Sequence, residues 1–216
     1  TGFSQEQAMA TLVTIMGEDE IPHITGSSAN KAIKDRIVRE LLTAGYAPEI
    51  QTVVQCSPPE FATGCSAVEN IIAVHKGKSS GKAVLATAHY DSVPAGPGIG
   101  DDLAGTAIML DLAATIAPRE TKNDVIFLIT DAEETGLRGA IAFADRHPLF
   151  KQVGVVVNVE ARGASGPSMM FETGNGNAAL LSLFARTVAN PVANSLTYEI
   201  YKMLPNDTDF SIYRKK

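Results

Sequence analysis

The chain has 216 residues with 45% hydrophobic and 19% charged content, the balance of an ordinary globular protein with enough apolar side chains to build its own core. A net charge of −6 and a pI near 5.2 exclude a nucleic-acid partner, because no basic stripe exists to release counterions from phosphates. No apolar run reaches the roughly 18 residues of a membrane span, so membrane anchoring is expected only through segments outside this sequence.

The chain opens TGFSQEQAM, without a basic segment or an initiator Met, and is read as a processed or excised single domain spanning 1–216. Segment 27–44, SSANKAIKDRIVRELLTA, places Ile33, Ile37 and Leu41 at helical spacing before Gly45, which predicts an amphipathic helix packed on a sheet. Strand-like runs follow at EIQTVVQ, VENIIAVH and KAVLATAHY. The last is apolar on both faces, as a central strand is. Between the first two, Cys56 and Cys65 enclose SPPEFATG. That spacing suits a local disulfide and is too wide for a metal-type C-x-x-C pair, but two free thiols fit it as well. Helices are expected near 102–117, 137–147 and 177–190, alternating with strands at 124–130, 153–159 and 168–172. The alternation predicts an α/β class, a three-layer α/β/α sandwich. Its sheet should be mixed, parallel at the centre and antiparallel on the amino-terminal side.

Three of these strands end in metal-binding side chains: AVLATAHYD on His89 and Asp91, VIFLITDAEE on Glu133 and Glu134, and VGVVVNVE on Glu160. Asp101 stands in the Gly-rich loop GPGIGDDLAG. Ligands of α/β sheets bind beyond the carboxyl ends of the strands, so parallel neighbours with these endings bring the side chains together. One imidazole among several carboxylates, with no thiolate nearby, suits a borderline divalent ion, zinc first.

A lone strand-end histidine is more often structural, but the acidic company at two other strand ends favours His89 as a ligand; His23, His75 and His147 lack that company and read as surface or packing residues. In H-Y-D on a strand, Asp91 shares a face with His89 and can orient its ring. Of Asp101 and Asp102, one can cap the following helix while the other bridges two metal ions. Glu133 and Glu134 can diverge, one bonding metal and one reaching the attacking water as general base. Asp131 reads as a support of the loop or of the helix that follows.

The blocks HYDSVPAGPGIGDDLAGTA, TDAEETGLRGA and VNVEARG resemble the co-catalytic zinc aminopeptidase family, metallopeptidase family twenty-eight, in order and over about positions 23–212. N-V-E-A and F-E-T-G are similar to its branch of membrane-anchored bacterial, vacuolar and endoplasmic-reticulum peptidases. The resemblance implies a zinc-exopeptidase-like fold and hydrolysis of peptides from the amino terminus. It implies His89 and Glu160 as ligands of one zinc, Glu134 as a ligand of a second, and Asp101 as the bridge. Glu133 is then the general base, Asp91 the orienter of His89, and the Asp101–Asp102 peptide cis.

Relatives supply a last histidine ligand after the segment resembling LPNDTDFSIY, and this sequence has no histidine beyond His147. The reading is therefore of a domain truncated on its carboxy-terminal side. Such a fragment would hold one zinc or none rather than two and be weak or inactive as a peptidase. Two other functions fit the same residues: a glutaminyl-cyclase-like transferase with a single zinc, and a non-catalytic receptor or interaction domain on the same scaffold. An extracytoplasmic location, a peptidic substrate and no assigned role for Arg162 or Asn175 complete the expectations.

Overall fold

The computed structural model describes residues 2–18, 20–79, 81–161, 165–201, 203 and 207–216, and Arg162 lies outside them. Residues up to Ala161, together with Thr208–Lys216, form one compact unit, and residues 162–207 form another.

The first unit begins with α1 (Gln5–Met16), a helix the hydrophobic pattern does not announce. The Ser4 hydroxyl accepts from the Gln7 amide to cap it, and Ala8, Leu12 and Ile15 are buried at helical spacing. Exposed Met9 and Val13 blur that stripe in the sequence. Then follows α2 (Ser28–Thr43), which buries Ile33, Ile37 and Leu41 as its spacing requires. The order continues β1 (Glu49–Cys56), β2 (Cys65–His75), β3 (Ala83–His89), α3 (Ala104–Ile116), β4 (Val125–Thr130), α4 (Arg138–Arg146) and β5 (Val153–Asn158), and Thr208–Lys216 adds a last short helix, Asp209–Arg214.

The five strands lie in the order β1-β2-β4-β3-β5. The β1–β2 and β2–β4 pairs are antiparallel, while β3 runs parallel to both β4 and β5. This is the mixed, centrally parallel sheet that the element alternation predicts. Alternation along each strand sorts its side chains between two cores. Ile71, Ala73, Ala86, Ala88, Phe127 and Ile129 meet α1, α2 and α3 on one face. On the other, Ile72, Leu85, Ile126 and Leu128 meet α4 and Ile212 and Tyr213 of the last helix. Cys56 and Cys65 stand opposite one another at the end of the β1–β2 ladder and are joined as a disulfide, which resolves the choice left by their spacing.

The second unit contains α5 (Ala178–Thr187) and α6 (Ser195–Tyr201). The strand expected at 168–172 does not form there: among the described residues only Met169 makes a bridge, to Val192. Its partner segment carries Pro191, which has no N–H to extend a ladder. With the helix of the last segment counted in chain order, Asp209–Arg214 is α7.

Candidate metal centre and active site

Register places the site. His89 pairs with Thr130, so β3 and β4 end at the same edge. On the far side of β3, Thr87 pairs with Asn158, and the Val159 amide donates to the Thr87 carbonyl, which delivers Glu160 to that edge as well.

His89 is buried at the centre. Its Nε2 lies 3.0 Å from Asp101 Oδ1 and 3.7 Å from Glu160 Oε1. Its Nδ1 is 3.1 Å from the Asp91 carbonyl and 3.6 Å from the Asp91 carboxylate. An imidazole so held presents Nε2 to the acidic side chains and is fixed through its other nitrogen. Burial opposes charging this ring, but the Glu133 carboxylate and the bonds to Asp101, Asp91 and Glu160 outweigh it and hold its pKa well above the usual value.

The two aspartates of the Gly-rich loop divide their work. Their connecting peptide is cis. Asp102 is buried, and its carboxylate accepts from the His89 amide at 3.3 Å and the Gly105 amide at 3.1 Å, which ties the end of β3 to the first turn of α3. A side chain at Gly105 would put its Cβ 2.2 Å from Asp102 Oδ1, so glycine makes this close approach possible. Asp102 also falls within a possible metal-ligand group with His89 and Glu160. Because its oxygens already serve two backbone amides, Asp101 is the better candidate to face a cation.

Glu133 and Glu134 sit on a turn between β4 and α4. The Asp91 carboxylate accepts from both of their amides, Oδ1 from Glu133 at 2.9 Å and Oδ2 from Glu134 at 3.2 Å. Asp91 therefore does more than sit beside the imidazole: it anchors the turn bearing both glutamates. With His89 these form a second group of potential ligand atoms lying within 4.8 Å of one another. Burial pushes the Glu133 carboxyl well above its ordinary range, the opposing attraction of His89 notwithstanding. Glu134 is likewise raised by burial, to about 7.

Asp131 accepts from the Asn30 side chain and from the Glu69 and Ala132 amides, the support expected of it. His147 stacks on Phe143 and contacts Glu49, and buried His23 bonds through Nε2 to the Pro97 carbonyl; both pack rather than join the cluster. Asn175 is exposed in the second unit. Sequence reasoning missed Asp209. It is buried, accepts from the Thr130 hydroxyl at 2.5 Å, and is pushed by burial to about 7. An aspartate in the first turn of a short helix carries no signal of its own.

The donor set fits a divalent cation. Several buried carboxylates converge on one imidazole, and burial disfavours their ionised forms unless positive charge accompanies them. Oxygen and imidazole nitrogen donors without a thiolate suit zinc.

A family model described as peptidase family M28 matches residues 70–216. Among curated proteins the chain is similar to endoplasmic reticulum metallopeptidase 1 of Rattus norvegicus, 28% identical over 98% of this chain and 25% of that protein. It is also similar to the vacuolar membrane protease of Candida albicans, 29% identical over 90% of this chain and 23% of that protein. The chain thus spans about a quarter of the length of these relatives. Among solved structures it is similar to glutaminyl cyclase of Porphyromonas gingivalis, with a TM-score of 0.78 at 21% identity over 99% of this chain and 79% of that one. A Zn-dependent exopeptidase of Parabacteroides distasonis gives 0.74 at 17% identity over 100% and 82%. At such identities the structural likenesses show the fold alone. The family match covers well over half of the sequence, including His89, Asp91, Asp101, Asp102, Glu133, Glu134, Glu160 and Asp209, and the chain belongs to peptidase family M28.

Proposed function

We propose that the chain is a zinc-dependent metallopeptidase domain that hydrolyses peptide bonds and, more narrowly, releases residues from the amino terminus of peptides. The convergence of His89, Asp101, Glu133, Glu134 and Glu160 at one edge of the sheet carries this reading. His89 and Glu160 would hold one zinc and Glu134 a second, with Asp101 beside His89 as a further ligand. Bound zinc supplies a Lewis acid for the scissile carbonyl and makes water a stronger acid near neutral pH. Glu133, buried beside His89, would take a proton from the attacking water and return it to the leaving amine. His89 is held through Nδ1, so Nε2 keeps its direction, and Asp91 anchors the turn that bears the two glutamates by accepting from both of their amides.

The Cys56–Cys65 disulfide, and relatives named for the endoplasmic reticulum and the vacuolar membrane, support an extracytoplasmic location. Among the described residues no helix is long and apolar enough to cross a membrane.

The fold is shared with glutaminyl cyclases, so the fold does not choose between hydrolysis and cyclisation. One measurement does: in the full-length protein, chromogenic aminoacyl substrates should be cleaved while peptides with amino-terminal glutamine are not cyclised. Elemental mass spectrometry of that protein should find zinc. Cyclisation without hydrolysis, or a full-length protein that takes up no zinc, would overturn the reading.

A further inference from the structure

The loop closed by the disulfide lies far from the metal-binding side chains in sequence, yet it is fastened to the turn that carries two of them. Ser57 donates from its hydroxyl to the Gly136 carbonyl at 2.9 Å, with Thr135 O at 3.3 Å, and accepts from Arg138 Nε at 2.9 Å. Arg138, buried at the start of α4, also reaches the Thr63 carbonyl at 3.4 Å, so one guanidinium grips both ends of the loop. The loop holds its own shape through Ser57 N to Gly64 O and through Phe61 and Ala62 amides to Pro58 O. Phe61 packs against the core beneath α4. Contact is tight: at Gly136, where φ is +109°, an added Cβ would lie 2.5 Å from Ser57 Oγ and 2.7 Å from Ala62 Cβ.

On its other side the same turn hangs from Asp91. The Gly136 and Leu137 amides donate to Glu133 O, and the Arg138 amide to Ala132 O, so whatever holds 135–138 holds the backbone of Glu133. The turn is gripped at both ends, by Asp91 at the Glu133 and Glu134 amides and by the Ser57–Arg138 pair behind them.

We propose that Ser57 and Arg138 are positioning residues for the Glu133–Glu134 turn, and that the Cys56–Cys65 disulfide makes their grip dependent on oxidation by keeping Ser57 beside Gly136. Its catalytic consequence rests on the roles given above to Glu133 and Glu134; its structural half does not. Reduction by a dithiol would deliver two electrons and two protons, converting the disulfide to two thiols while the reductant closes to its own cyclic disulfide. Without the covalent closure, Ser57 is no longer kept beside Gly136, and its bonds to the Gly136 carbonyl and from Arg138 Nε loosen.

The test is amide hydrogen exchange on the purified chain, read separately over 132–138 and over β3 and β4. Ser57→Ala and Arg138→Lys, which leaves a point charge unable to grip Ser57 and Thr63 in parallel, should each speed exchange over 132–138 about tenfold, the worth of about one hydrogen bond. The strands should exchange as before. The double variant should add little to either single, because both act through one contact. Dithiol reduction of the unaltered chain should give the same local acceleration, which keeps the proposal testable if a variant folds poorly. Where hydrolysis is measurable, kcat should fall about tenfold in Ser57→Ala with little change in KM. Unchanged exchange over 132–138 in folded Ser57→Ala, or acceleration spread evenly over the sheet, overturns the positioning role; unchanged exchange after reduction overturns the redox dependence. In a parent chain without measurable hydrolysis the exchange result alone judges the clamp, while the proposed function is judged on the full-length protein.

Discussion

Replacing Asp91 by asparagine isolates the anchor of the Glu133–Glu134 turn, because the side chains are nearly the same size and no cavity is created. Asp91 is fully buried, and its two oxygens accept from two backbone amides at 2.9 and 3.2 Å. Asparagine offers one oxygen and one NH2. If the oxygen keeps Glu133 N, the NH2 opposes Glu134 N, donor against donor. Orphaning that amide costs about 1–3 kcal/mol, and loss of charge on the surviving bond costs about 1 kcal/mol more. Against this, the negative charge of Asp91 raises the carboxyls of Asp131, Glu133, Glu134 and Asp209, so its removal relieves repulsion, but it also removes an interaction favourable to charged His89, and the two charge effects largely offset one another. The net expectation is a loss of at least about 2 kcal/mol. Urea unfolding of chelator-treated protein measures it without zinc binding in the balance. With a slope of about 2 kcal/mol per molar, the midpoint should fall by at least about 1 M at unchanged slope. A midpoint equal to or above that of the unaltered protein would mean that repulsion outweighs anchoring, and the argument for Asp91 as the turn's support would fail.

In the full-length protein, Glu133→Gln should lower peptide hydrolysis by about 10²- to 10⁴-fold with zinc content nearly unchanged, whereas Glu134→Gln should lower zinc content; equal metal loss in both would show the roles to be exchanged or misread. Gly105→Ala should destabilise by about 1–3 kcal/mol in thermal or urea unfolding despite its better helix propensity. Its methyl group would stand 2.2 Å from Asp102 Oδ1 and force apart the bonds from Gly105 N and His89 N, so a stabilised variant would show that Asp102 does not tie β3 to α3. Tyr46, whose hydroxyl donates to Ala113 O, is pushed by burial to about 12. A raised folded pKa makes its stabilising contribution complete below about pH 10, the ordinary tyrosine value, and lost as pH rises toward 12. Tyr46→Phe should therefore lower stability at pH 8 and flatten its decline between pH 10 and 12. An identical decline in the two proteins would exclude Tyr46 as its source.

How much of this was legible in the sequence depends on whether a signal is local. The strands AVLATAH and VIFLIT are apolar on both faces because helices cover both sides of the sheet, and a doubly buried strand has no polar face to confuse its reading. His89, Glu133, Glu134 and Glu160 stand out for a related reason: costly polar side chains end or follow apolar runs, where a ligand or a shared charge accounts for them. The helix α1 was not legible, since Met9 and Val13 put apolar side chains on its exposed face and dilute the period. The strand expected at 168–172 was a misreading of an apolar run that, among the described residues, makes only the Met169–Val192 bridge.

The supports of the site are the larger omission, and their illegibility has a physical cause. Asp91 reaches the Glu133 and Glu134 amides 42 and 43 residues away, and Ser57 reaches Gly136 at a separation of 79. Asp209 meets Thr130, also 79 residues distant. In each pair one partner is a backbone group or a plain hydroxyl, which any sequence provides at nearly every position, so the pairing leaves no mark in residue type. A metal ligand must be one of a few side chains, and that chemistry restricts the sequence where it acts. A group that orients a ligand through the backbone restricts only one side of the contact. Register and loop packing decide the other side. For that reason the sequence indicated which carboxylates gather at the sheet edge, while the fold was needed to show that Asp91 and the Ser57–Arg138 pair hold the same short turn from opposite ends.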